Sequence, residues 1–479
     1  MKILFVASEL TPLAKVGGLG DAVGALAKAL SKLGLQISIV IPRYEFIKKD
    51  ELKLIKDNVL VSIGDKQEKI ALYKTKLPKS DIDVFLIDNP DYLSTGPAPY
   101  FEQTAFVGAK EEIQRFVFFS KAVFVLLKQE LLGEIDIVYC NDWHAGALVT
   151  MLRNWKLETG NLKLKTIFTI HNLSNQGGWK AKEIDNWFLK NGEQSLFQKF
   201  GSSYNFIAEG IINADWVTTV SPTYAKEILT KKYGAGLEKI IKKRPKNLTG
   251  ILNGIDYEFY NPETDPRIFK NFSSGSIELK AENKIELQKF LGLEVEKDMP
   301  LFGLVARLTE QKGIDFIIAA LPKFIKKYKS QFVFLGRGLD SYEKQLLKFA
   351  KKLPRQVYTK IDFDEVLAHQ IYAASDFFLM PSLFEPSGLG QMISMRYGTI
   401  PIVRETGGLK DSVKHLKTGF VFKSESASAF RKILELAWNH YSEKSAKLKQ
   451  IQKNCLEENF DFSHSAKEYQ KLYEKLLTR

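Results

Sequence analysis

The chain has 479 residues, 45% of them hydrophobic and 26% charged, and a formal net charge of +13. That length points to two or three domains, and the composition is that of a globular protein rather than a disordered or fibrous one. No apolar run approaches the roughly 20 residues that a membrane-spanning helix requires, and two cysteines, Cys140 and Cys455, are too few for a disulfide scaffold or a cysteine metal site.

The opening Met1-Lys-Ile-Leu-Phe-Val reads as a strand rather than a signal peptide, so a reducing cytoplasm is expected, with no membrane partner. The excess positive charge is spread through helical segments such as Phe324-Ile-Lys-Lys-Tyr-Lys329, not massed in one tract, so no nucleic-acid partner is expected.

In chain order, 2–8 reads as a buried strand and 18–33 as an amphipathic helix. Between them lies Lys15-Val-Gly-Gly-Leu-Gly20. A Walker A loop carries its lysine after the glycines, whereas Lys15 precedes Gly17 and Gly18. The dinucleotide fingerprint fails too, because Val23 stands at its third glycine position. Two readings stay open for this stretch: a tight turn with an exposed lysine, or a loop that lets a backbone and a helix N-terminus approach an anion.

Further strands are expected over 36–41, 69–75, 83–88, 135–140, 165–171 and 216–220, with helices over 109–130, 144–155 and 221–231. Near-continuous apolar strands between helices imply a parallel sheet covered on both faces. Two of these strands end in polar clusters, Asn141-Asp142-Trp-His144 and His171-Asn172. A lone histidine there is usually structural; two at equivalent strand ends point toward a site. Neither has a second ligand at metal spacing, so no metal is expected, and no G-x-S-x-G elbow occurs.

A turn-forming Asn253-Gly254 sits near the junction, and an irregular stretch around 261–278 follows. The alternation then restarts with strands over 301–306, 332–335, 376–380 and 400–403. Arg307 and Lys312 follow the first, a fork and a point charge suited to a diphosphate. Glu385 follows the third, either as a hydroxyl acceptor or as a helix-start carboxylate. Arg404-Glu-Thr-Gly-Gly408 follows the fourth with backbone amides that suit phosphate. The expected fold is α/β, with two doubly wound Rossmann-like domains facing across a cleft. The expected bounds are 1–248, 249–458, and a C-terminal helix over 459–479 that returns to the first domain.

As a set, these motifs resemble the bacterial and plant glycogen/starch synthases, retaining glycosyltransferases of GT-B architecture. The resemblance runs through Lys15-Val-Gly-Gly-Leu, Asp142-Trp-His144, Thr169-Ile-His-Asn172, Gly250-Ile-Leu-Asn-Gly-Ile-Asp256, Arg307-Leu-Thr-Glu-Gln-Lys-Gly313, Glu385-Pro-Ser-Gly-Leu389 and Thr406-Gly-Gly-Leu409. It implies transfer of glucose from ADP-glucose to the non-reducing end of an α-1,4-glucan, without a cofactor. By the same resemblance Lys15, His171, Glu385, Arg307 and Lys312 carry the chemistry. Gly17, Gly18, Asp21, Asp142, His144, Asn253, Phe363, Gly388, Leu389, Thr406, Gly407 and Gly408 bind substrate.

The family is described as lacking a protein nucleophile and relying on same-face attack assisted by the departing phosphate. The sequence departs from the family pattern at Ser387, often cysteine, at Ala208, usually lysine, at Arg337, commonly threonine, and at Asp362-Phe363, usually Gly-Tyr. Ile393 replaces a second glutamate found in many GT-B enzymes. Transfer from UDP-glucose and non-catalytic glucan binding are the alternatives.

Overall fold

A computed structural model of the chain describes residues 1–94, 110–160, 163–244 and 246–478. The segment around Pro99-Tyr100, where an acceptor loop is expected, lies outside the described residues. The chain forms two compact units, Met1–Gly254 together with Phe462–Arg479, and Ile255–Asp461.

The first unit is built on nine strands: β1 (Lys2–Val6), β2 (Gln36–Pro42), β3 (Lys53–Ile63), β4 (Lys66–Lys76), β5 (Asp83–Asp88), β6 (Ile137–Asn141), β7 (Lys165–Ile170), and, after the short separate antiparallel pair β8 (Gly178–Lys180) and β9 (Ser203–Asn205), β10 (Trp216–Thr219) and β11 (Leu248–Gly250). Their order is β11-β10-β7-β6-β1-β2-β5-β4-β3. Both faces are covered. Ile3 and Phe5 join one apolar cluster while Leu4 and Val6 join the other, which is why β1 has no polar alternation.

The sheet is parallel from β11 to β5, but β4 runs antiparallel to β5 and β3 antiparallel to β4. This corrects the wholly parallel expectation. The reason is local: only Gly64 and Asp65 separate β3 from β4, and two residues can close a hairpin but not a crossover. β3 does not stand out in the sequence because its first half, Lys53 to Asn58, is exposed and interrupted by irregular pairing at the sheet edge.

The helix Gly18–Lys32 buries Leu19, Val23, Leu26 and Leu30 against one face. The final helix, Phe462–Leu477, adds Phe462, Ala466, Tyr469 and Tyr473 to the same cluster. Tyr139 of β6 meets Tyr469 edge-on at 5.7 Å. The helix expected over 221–231 spans only Pro222–Glu227; Ser221 caps its start through Tyr224 N, and turns take over after Glu227.

The second unit carries β12 (Leu301–Val305), β13 (Gln331–Leu335), β14 (Val357–Lys360), β15 (Phe377–Met380), β16 (Ile400–Arg404) and β17 (Phe420–Phe422), all parallel, in the order β14-β13-β12-β15-β16-β17. β14 and β17, absent from the sequence reading, are short edge strands. Both units are doubly wound. The chain reverses its direction of winding between β1 and β6 in the first and between β12 and β15 in the second. Ligands of such sheets bind beyond the carboxyl ends of the strands at that reversal. No helix among the described residues is long and apolar enough to cross a membrane.

Candidate functional site

In the first unit, the loop after β1 contains Lys15 and the loops after β6 and β7 contain Asp142, His144 and His171, so all four stand at strand ends around the reversal. Glu9, which the sequence reading passed over, organises the glycine loop. Its Oε2 accepts hydrogen bonds from the backbone N–H groups of Val16 and Gly17, each at 2.8 Å. Those two amides are therefore engaged internally, leaving the first turn of the helix at Gly18 and the Lys15 ammonium as the parts of this loop to consider for an anion. Lys15 Nζ lies 2.9 Å from Asp21 Oδ1, which also accepts from Thr11 Oγ1 at 2.8 Å.

Asp142 holds a positive φ of 53° and points its carboxylate back at the next strand end. Its Oδ1 accepts from the backbone N–H of His171 at 2.7 Å and, more weakly, of Asn172 at 3.4 Å. Burial outweighs these amide bonds and, with the nearby Glu9 charge, pushes the Asp142 carboxyl up to about 7. Asn141 Nδ2 donates to Val6 O, so its Oδ1 is the acceptor facing His171 Nε2 at 2.9 Å. That arrangement puts the His171 proton on Nε2 and makes Nδ1 the acceptor nitrogen.

Burial lowers both His171 and His144 to about 3, so both imidazoles are neutral at ordinary pH. The His144 ring is stacked on Trp143 at 4.2 Å and meets Phe116 edge-on at 4.4 Å. Asn253 is buried near the end of this unit, its N–H bonded to Val220 O.

In the second unit, Arg307 and Lys312 follow β12 and Glu385 follows β15, the two strands flanking the reversal. Lys312 Nζ lies 2.6 Å from Glu385 Oε2, which also accepts from Ser382 Oγ at 2.9 Å. The Arg307 side chain is exposed and makes no hydrogen bond or ion pair among the described residues. Gly313 allows the Lys312 turn to approach closely: its φ is +68°, and a Cβ there would sit 2.1 Å from Pro381 O.

The Glu385 loop and the Thr406–Gly408 turn touch directly. Gly408 N donates to Glu385 O at 3.0 Å, and a Cβ on Gly408 would sit 2.1 Å from Ser387 O. Gly388 holds a φ of +70°, and Leu389 leads into the helix Gly390–Arg396. Thr406 is buried and precedes the helix Gly407–Ser412. Arg404 is turned inward: its guanidinium donates to the carbonyls of Ser382 and Leu383 and pairs with Glu425.

Phe363 stands apart. It is 57% exposed after the edge strand β14, and no ring or hydrogen-bond contact joins it to Arg307, Lys312 or Glu385. The overlooked residues are Glu9 and Ser382, together with Gln391 behind the Glu385 loop. Glu9 and Ser382 each lie within three residues of a buried strand's end, the same signal that singled out Asp142.

Residues 2–243 match the family described as starch synthase catalytic domain, and residues 288–454 match glycosyl transferases group 1. The chain is similar to a glycogen synthase of Alkaliphilus metalliredigens, at 40% identity over 99% of this chain and 100% of the relative. A glycogen synthase of Thermosipho melanesiensis is 39% identical over the whole of both chains. Among solved structures, the catalytic domain of starch synthase IV from Arabidopsis thaliana, bound to ADP and acarbose, superposes with a TM-score of 0.88 at 33% identity, covering 100% of this chain and 99% of that one. A sucrose-phosphate synthase from Thermosynechococcus elongatus, at 17% identity and a TM-score of 0.61 over 100% of this chain and 99% of that one, shares the fold.

Proposed function

This chain belongs to the glycogen and starch synthase family, glucosyltransferases of glycogen biosynthesis, and from that premise we propose that it uses ADP-glucose as donor and an α-1,4-glucan as acceptor. Glucose passes to the non-reducing end with its anomeric configuration retained. ADP, the species that an ADP-glucose donor leaves behind, is bound in the Arabidopsis relative.

The observation that carries this reading is the cation pair after β12, at the strand reversal where a doubly wound sheet binds its ligand: Lys312 against the Glu385 carboxylate, with Arg307 exposed beside it in sequence. As the bond from the anomeric carbon to the diphosphate oxygen breaks, negative charge gathers on the leaving group. Arg307 presents a planar fork and Lys312 a point charge to neutralise it, and by the family resemblance Lys15 is a further cation of the reaction. Glu385, oriented by Lys312 and Ser382, accepts hydrogen bonds from glucose hydroxyls. By the family resemblance the turn over Thr406, Gly407 and Gly408 adjoins the phosphate; within the unit Thr406 N donates to Arg404 O and Gly408 N to Glu385 O, which holds this turn against the Glu385 loop. Gly17, Gly18 and Asp21 shape the Lys15 loop, and Asp142, His144 and Asn253 shape the sugar side. Phe363 contacts the base.

Retention without a protein nucleophile is part of the proposal, as the family resemblance implies: no carboxylate forms a glycosyl-enzyme bond. Asp142 accepts from two backbone amides and Glu385 pairs with Lys312. The acceptor hydroxyl attacks on the face from which the diphosphate leaves, and its proton passes to the departing phosphate oxygen. Neutral His171 positions the transferred glucose. A cytoplasmic enzyme is part of the proposal, supported by two buried cysteines that form no disulfide.

The test incubates the protein with glycogen and either ADP-glucose or UDP-glucose, and follows nucleotide release and glucan growth. Growth with ADP-glucose supports the reading. Growth with UDP-glucose alone reassigns the donor, and no growth with either overturns the proposal.

A further inference from the structure

The Glu385 loop and the Thr406–Gly408 turn are held together by a side chain that none of the sequence motifs singles out. Gln391 lies on the helix Gly390–Arg396 and is fully buried. Its Nε2 shares two hydrogens among three acceptors, Ser387 O at 3.1 Å, Gly388 O at 2.9 Å and Ser412 Oγ at 3.0 Å. Two of these partners are carbonyls, which can only accept, so the amide orientation is set by the surroundings. Ser412, at the end of the helix Gly407–Ser412, passes the connection on by donating its own hydroxyl to Gly408 O at 2.6 Å.

The ring closes through the backbone, since Gly408 N donates to Glu385 O. One amide thus ties the carbonyls on either side of the Ser387–Gly388 bond to the neighbouring glycine turn, beyond two different strands, β15 and β16. Gly388 is part of the fit: a Cβ there would stand 2.5 Å from Gln391 Oε1. The acceptor end of the amide, Oε1, is buried with no hydrogen-bond partner among the described residues, so the residue is held there for what its donor end does.

We propose that Gln391, with Ser412 as its relay, is a positioning residue of the glucosyl transfer. It sets the loop that carries Glu385 against the turn that carries Thr406 to Gly408, and so fixes where the Glu385 carboxylate stands beyond β15. The inference rests on the donor-site reading above. It predicts that kcat falls more than donor affinity, because the loop that carries Arg307 and Lys312 stays in place while the placement of Glu385 on the glucose is lost. A displacement of a reacting group by about 1 Å is enough to cost on the order of 100-fold in rate.

The experiment measures kcat, the donor KM and thermal unfolding of full-length Gln391→Leu, Gln391→Glu and Ser412→Ala. Gln391→Leu keeps the volume and loses every donated bond; its kcat is expected to fall about 10- to 100-fold, with the donor KM within about threefold of wild type. Gln391→Glu gives the sharper readout. Its carboxylate cannot donate to two carbonyls, whereas the protonated acid can donate once. The wild-type to variant ratio in kcat therefore shrinks by about fivefold from about pH 8 to about pH 6.

A purely structural role would lower stability without that pH-dependent recovery. Should Gln391→Leu fail to fold, Ser412→Ala, which removes only the relay, carries the test with an expected kcat loss of about three- to tenfold. A folded Gln391→Leu, or Ser412→Ala in its place, with kcat within about twofold of wild type overturns the inference, as does a Gln391→Glu ratio that does not change with pH. An inactive wild-type enzyme overturns the donor-site reading as well, whereas an active wild type with unaffected variants removes this inference alone.

Discussion

Replacing Lys312 with methionine removes one positive charge and keeps most of the side-chain volume. In the wild type, Nζ lies 2.6 Å from Glu385 Oε2, with the side chains 18% and 7% exposed respectively. Removing one partner of a fully buried pair costs about 3–5 kcal/mol. Lys312 is only partly buried and Ser382 still donates to the stranded carboxylate, so the expected loss of stability is about 1–3 kcal/mol. For a unit of this size that corresponds to a melting temperature lower by roughly 3–10 °C.

The kinetic effect is expected to be larger. On the proposed reading the lost ammonium faces charge that builds up as the diphosphate leaves, and a single such group is worth about 10²- to 10³-fold in rate. Initial rates with saturating glycogen and varied ADP-glucose, taken well below the lowered melting temperature, separate the two effects. Glu385→Gln and the double variant complete a cycle, and strong non-additivity in stability is expected because the groups touch. A kcat/KM for Lys312→Met within about threefold of wild type would refute the assignment of Lys312 to the leaving group.

Arg307→Ala and Lys15→Ala are each expected to lower kcat/KM by at least about tenfold. Arg307→Ala should leave the melting temperature unchanged, since its side chain is exposed, and a near-normal rate in either variant removes that residue from the site. Asp142 carries a pH signature in stability. Its folded-state carboxyl is raised to about 7 from the ordinary 3.8, so the protonated group stabilises the fold at low pH and that contribution is lost as pH rises from about 4 to about 7. Asp142→Asn keeps the acceptor for His171 N–H and removes this loss; denaturant unfolding at pH 5 and pH 8 should show the variant gaining on wild type at the higher pH, and an unchanged difference would contradict the burial argument. Tyr469→Ala, in the last helix against Tyr139, should destabilise the first unit by about 3–5 kcal/mol in thermal or denaturant unfolding, and a loss under about 1 kcal/mol would show that this helix is not part of that core.

The first strand, Lys2–Val6, was legible from its residues because both faces of its sheet are covered, which leaves an unbroken apolar run that no helix period explains. The same covering made the strand ends legible, since Asn141, Asp142 and His171 are polar residues placed where a buried strand abruptly stops. β3 was not legible: an exposed edge strand paired to one neighbour has little apolar pattern to show, and its direction follows from a two-residue turn.

Pairings across long sequence separations were hidden for a different reason. Lys312 and Glu385 are 73 positions apart, and nothing in either segment says that one ammonium and one carboxylate will meet at 2.6 Å. Glu9 engaging two amides of the glycine loop, and Gln391 bridging two loops, are likewise products of packing rather than of local pattern. Periodicity and motif spacing report which face of an element is buried and where the chain turns, so by itself the sequence determined the two α/β halves and the strand ends that carry polar groups. The identity of each side chain's partner depends on which strands lie side by side, and only the tertiary structure decided that.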